Sequence, residues 1–100
     1  MPKKQVVEEP AIVAWGRSNI GDYKKQEFCD SLTRAFRDDG GADFIILDSN
    51  MSNQRFRAAC VAWAIDNDLL YNDRNDDEGQ QIVSSFRLTE EGKRQILGWP

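Results

Sequence analysis

The chain has 100 residues, with 13 Lys/Arg against 17 Asp/Glu, no His and a net charge of −4. That length allows one domain with one modest core, and 40% hydrophobic residues with ten aromatics argue against wholesale disorder. Without His the commonest general base is missing. Two lone cysteines, Cys29 and Cys60, are too few for a zinc site of about four ligands or a disulfide framework.

No enzyme, metal or cofactor is therefore expected, and both cysteines are expected as buried thiols in a reducing cytoplasm. No apolar run approaches the roughly 18 residues of a membrane span. The opening MPKKQVVEEP holds no signal-type apolar run, so a cytoplasmic location without membrane contact is expected. The charge is uneven: residues 1–37 hold seven Lys/Arg and five Asp/Glu, whereas residues 38–100 hold six and twelve.

Along the chain, residues 1–5 are expected to be loose, within a single domain spanning 1–100. The apolar run Ala11–Trp15, between Pro10 and Gly16, reads as a short strand or a single helical turn. Phe28, Leu32, Ala35 and Phe36 then fall at helical spacing. Asp22 is placed to cap that helix and Gly40-Gly41 to end it. Phe44–Leu47 reads as a short buried strand or helix. A turn is expected at Asp48-Ser49-Asn50, with Ser52 as the next N-cap.

From Ser52 to Asn67 the stripe Phe56, Ala59, Cys60, Trp63, widened by Ala58, Ala62 and Ile65, predicts a helix ending at an Asn67 that tolerates left-handed geometry. Asp68–Tyr71 starts a strand. YNDRNDDEGQQ, Tyr71 to Gln81, reads as an acidic hairpin turn. A returning strand follows, with Ile82, Ser84, Phe86 and Leu88 on one face and Val83, Ser85 and Arg87 on the other. Thr89 caps a last helix that carries Glu90 and Glu91 in its first turn. Asp73, Asn75 and Asp77 alternate as in a calcium loop. However, the glycine comes one residue late, at Gly79, and Ser84 stands where the closing Glu belongs.

The segment NDLLYNDRNDDEGQQIVSSFRLTEEGKRQIL, Asn67 to Leu97, resembles the winged-helix family in its MarR-like and PadR-like form: an apolar strand after a helix, a charged wing, and a returning strand ending in Leu-Thr-x-x-Gly, here Leu88 to Gly92. The resemblance covers roughly residues 52–97. It implies an α+β fold, a small winged helix-turn-helix-like domain with a two-stranded antiparallel wing hairpin. It further implies that the Ser52–Asn67 helix is a recognition helix presenting Asn53, Gln54, Arg55 and Arg57 to a major groove, with Arg74 on the wing and Arg87 on the returning strand contacting the backbone or minor groove. The expected function is then that of a small double-stranded-DNA-binding regulator, or a replication or recombination accessory factor, of bacterial, phage or mobile-element type. Such a protein often works as a homodimer.

Each of these cations also fits an ordinary solvated helix face or hairpin tip. The acids support a second expectation, because DNA binding is driven by neutralising phosphates and the wing sets one Arg74 against four acids. On that reading Asp66, Asp68, Asp73, Asp76, Asp77, Glu78 and Trp99 form a partner surface for a protein with a basic face. The chain would act as an inhibitor or adaptor of a nucleic-acid enzyme, in the manner of a phage host-takeover or anti-defence protein.

Overall fold

The structure, a computed structural model, describes residues 7–48 and 51–100, with the backbone alone at 51 and 52. The expectations for residues 1–5, for a turn at Ser49-Asn50 and for capping by the Ser52 side chain lie outside the described residues. The chain is α+β. In order come helix α1 (Ala11–Ser18), a 3₁₀ turn (Ile20–Asp22), helix α2 (Lys25–Thr33) continuing as a π-helical turn (Arg34–Asp38), strand β1 (Phe44–Leu47), helix α3 (Met51–Asp66), strands β2 (Leu70–Glu78) and β3 (Gln81–Leu88), and helix α4 (Glu90–Gly92), which continues as a second π-helical turn (Lys93–Leu97).

The apolar run at Ala11 becomes the helix α1 and continues through Gly16, burying Ile12, Val13 and Gly16. A Cβ on Gly16 would lie 2.4 Å from the Ala58 carbonyl carbon and 2.7 Å from the Ala59 nitrogen, so only glycine lets α1 cross α3 this closely. On α2 and its π-helical continuation, Phe28, Leu32 and Phe36 face the core at four-residue spacing. The expected cap at Asp22 shifts: Asp22 closes the 3₁₀ turn, and the Glu27 carboxylate accepts the Lys24 amide at 2.8 Å at the true helix start. Gly40, at φ +67°, makes the expected stop.

α3 is the centre of the molecule. Ala58, Ala59, Cys60, Val61 and Ala62 are consecutive and fully buried, so this part of the helix is covered around its whole circumference. Small side chains allow α1 to approach closely on one side, while Phe28 stacks on Trp63 at 5.5 Å on another. Cys60 is buried and its thiol is pushed up to about 12 by desolvation; Cys29, expected to be buried, is only half-buried. The left-handed residue after the helix is Asp68, at φ 59°, one position beyond the expected Asn67. Asn67 instead donates its side-chain amide to the Trp63 carbonyl at 2.8 Å.

Among the described residues the sheet has three antiparallel strands in the order β1-β3-β2, not the two of an isolated hairpin. Phe44–Leu47 pairs with β3, Phe44 opposite Phe86 and Ile46 opposite Ser84. Helices cover the face that carries Phe44, Ile46, Phe86 and Leu88, all buried. The other face presents Ile45, 42% exposed, and Tyr71, 44% exposed. Ser84, Phe86 and Leu88 share the buried face as expected, but Ile82 lies beyond the helices and is exposed, and Ser85 is buried as well.

The acidic stretch differs most from its reading as a turn. Leu70–Glu78 is a nine-residue strand, and the turn is confined to Gly79-Gln80, where Gly79 takes φ +70°. The register shifts between Asn72 and Arg74, making Asp73 the extra residue of a bulge. Asn72 braces that bulge with its amide, 3.2 Å from the Ser85 carbonyl and 3.2 Å from Asn75 Oδ1.

Thr89 ties the hairpin to α4. Its Oγ1 accepts the Gly92 amide at 3.0 Å and donates to the Asp68 carbonyl, while its own amide donates to the Leu69 carbonyl at 3.0 Å. Gly92 lies so close to Leu69 that an added Cβ would be 2.2 Å from its carbonyl oxygen. The Leu-Thr-x-x-Gly sequence thus has a local physical account: a buried leucine, a cap with two further bonds, and a glycine at a close backbone approach.

Candidate interaction surface

The early residues of α3 divide into two pairs. Asn53 and Arg55 are exposed, and the Arg55 guanidinium lies 5.9 Å from the Trp15 ring centre. Gln54 and Arg57 turn back onto β1. The Gln54 Oε1 accepts the Leu47 amide at 3.3 Å. Arg57 donates from Nε and Nη2 to the Ile45 carbonyl at 3.0 and 2.9 Å, with its guanidinium 4.0 Å from the Phe44 ring centre. Burial lowers the Arg57 pKa from its ordinary value. Arg57, expected to face a groove, is half-buried and joins α3 to the sheet edge.

The two hairpin cations are held by acids. Arg74 Nε lies 3.0 Å from Asp76 and its Nη1 3.5 Å from Asp73; the hydrogen bond to Asp76 raises the Arg74 pKa. Arg87 Nε lies 3.7 Å from the Asp43 carboxylate. Solvent screening leaves exposed pairs of this kind little effect on stability. Their larger effect here is on the field, because they cancel the hairpin's positive charge where it could meet a phosphate.

The acids expected at a partner surface are spread over a wider arc. Asp66 pairs with Arg17 at 3.1 Å, and Arg17 also holds Glu9 at 2.9 Å, which places these charges at the junction of α1 and α3. Asp68 occupies the corner before β2 and is exposed. Asp73 and Asp76 are engaged by Arg74, while Asp77 and Glu78 are exposed and form no ion pair among the described residues. Asn75 reaches the Glu8 carbonyl with its amide at 2.7 Å and so brings an acidic segment before α1 against the hairpin. Sequence reading did not identify this contact between Glu8 and Asn75; no local pattern joins positions nearly seventy residues apart.

Trp99 stands apart from the acids. It is 54% exposed, with Lys93 Nζ 5.5 Å from its ring centre, and it lines a cavity of about 350 Å³ together with Tyr71, Arg87 and Lys93. No helix among the described residues is long and apolar enough to cross a membrane. No protein-family model, curated protein or solved structure matches the chain.

Proposed function

We propose that the chain is an acidic protein-binding module that uses the β2–β3 hairpin to engage a partner with a basic surface, and thereby acts as an inhibitor or adaptor of a nucleic-acid-handling protein. The observation that carries this reading is the charge of the hairpin. Arg74 and Arg87 are neutralised by neighbouring carboxylates, while Asp77 and Glu78 are exposed and, among the described residues, pair with no cation. The burial of α3 supports the same reading, since a recognition helix needs a long exposed face and the Ala58–Ala62 span has none.

A winged-helix-like architecture for the second half rests on the succession of α3, the β2–β3 hairpin and α4, and on the packing of Leu88, Thr89 and Gly92. Ahead of α3 stands the strand β1, in the position where a full helix-turn-helix would carry its supporting helix. Double-stranded DNA is the second reading, and it rests on the exposure of Asn53 and Arg55 at the start of α3.

Affinity capture from a host lysate, run with and without nuclease, separates the two. On the protein reading a defined partner of basic surface is retained after nuclease treatment and is released by raised salt. Loss of all captured material on nuclease treatment, with direct binding to duplex DNA that falls steeply with salt, would establish the DNA reading instead.

A further inference from the structure

The two edges of the sheet are treated differently. Pairing of Asp48 with Ile82 through a 2.9 Å hydrogen bond fixes the β1–β3 ladder so that Ile45 and Leu47 turn their backbone groups outward. Those outward groups are taken: the Ile45 carbonyl by Arg57 and the Leu47 amide by Gln54. Side chains from α3 therefore block this edge. In the β2–β3 ladder, Leu69 bonds to Thr89, and past the bulge Arg74, Asp76 and Glu78 sit opposite Ser85, Val83 and Gln81. This phase turns the backbone N–H and C=O groups of Asn75 and Asp77 away from β3, and among the described residues no hydrogen bond reaches them.

We propose that the open edge of β2 accepts an extended, lysine- or arginine-rich segment of a partner as a fourth strand. The proposal rests on the protein-binding reading above and specifies how that binding is made. Main-chain bonds to Asn75 and Asp77 supply the ladder. Basic side chains on the solvent face of the added strand fall beside Asp76 and Glu78, and those on the opposite face beside Asp77. The same carboxylates exclude a second copy of β2, since two such strands would set acid against acid. Charge thus leaves the edge available to a basic strand while guarding it against self-association.

The test uses a nine-residue peptide alternating lysine and valine, and the same peptide N-methylated at every inner residue, which keeps the charge but removes the edge. Binding is followed by isothermal titration at low salt, and amide exchange of the full chain is followed by NMR. The expected result is binding of the parent peptide, loss of at least tenfold on methylation, and at least tenfold slower exchange at the Asn75 and Asp77 amides. Asp77→Pro, which removes an outward N–H without breaking the β3 ladder, loses binding at least tenfold more than Asp77→Ala, which removes the same carboxylate and keeps the N–H. Equal binding of both peptides without protection at Asn75 and Asp77 overturns strand addition and leaves an acidic docking surface standing. Failure of both peptides to bind overturns the proposal together with the reading on which it rests.

Discussion

Arg57 holds the start of α3 to β1 through two hydrogen bonds to one carbonyl and a face-on contact with Phe44. A hydrogen bond from a charged donor is worth about 1.5–3 kcal/mol, and the exposed setting of this one places it at the lower end. Truncation would also leave the Ile45 carbonyl without its partner. Arg57→Ala should accordingly lower stability by about 2 kcal/mol in urea unfolding; Arg57→Lys, which lacks the planar fork, should recover only part of it. An Arg57→Ala protein as stable as the parent would show the side chain to be free for a ligand, as the sequence suggested. The residue type was legible there, but its commitment was not, because the carbonyl it serves lies twelve positions away in a strand whose edge only the fold defines. Thr89 was legible for the opposite reason: a cap acts within three residues, and its hydroxyl receives the Gly92 amide as expected.

At the scale of elements, local pattern succeeded where helices were amphipathic and failed where pairing overrode composition. α2 followed from the spacing of Phe28, Leu32 and Phe36. α1 stayed ambiguous because a five-residue apolar run fits either element, and the helix is settled by its contact with α3 at Gly16. β2 was misread as a turn because Asn and Asp are poor strand formers, whereas here a full ladder to β3, with a bulge at Asp73, imposes the extended form. The α1–α3 crossing makes the strongest claim at this level. Gly16→Ala would put a methyl against the backbone of Ala58 and force the helices apart, at a cost of about 1–3 kcal/mol from overpacking. Gly21→Ala, with nothing within 4 Å of the added Cβ, serves as the control and should change the denaturation midpoint little. A Gly16→Ala protein with an unchanged midpoint would contradict the close crossing.

For the whole molecule, charge and topology point the same way. The sequence showed the acidic bias of residues 38–100, and the fold concentrates its consequence: the hairpin's arginines are cancelled locally, Glu8 is drawn to β2 by Asn75, and α3 is buried from Ala58 to Ala62 while Asn53 and Arg55 stay exposed at its start. The exposed apolar side chains Ile45 and Tyr71 on the opposite sheet face were not distinguishable in sequence from core residues, since strand alternation assigns faces but not which face the helices cover. The account's central claim is that the acids of β2 are the binding determinant. The most direct measurement compares the parent chain with Asp76→Lys/Asp77→Lys/Glu78→Lys for affinity toward the captured partner and toward duplex DNA at low salt. The account predicts loss of partner binding by at least tenfold in the substituted chain, with DNA binding absent in the parent. Undiminished partner binding in the substituted chain, or salt-sensitive DNA binding by the parent that Arg55→Ala abolishes, would contradict it.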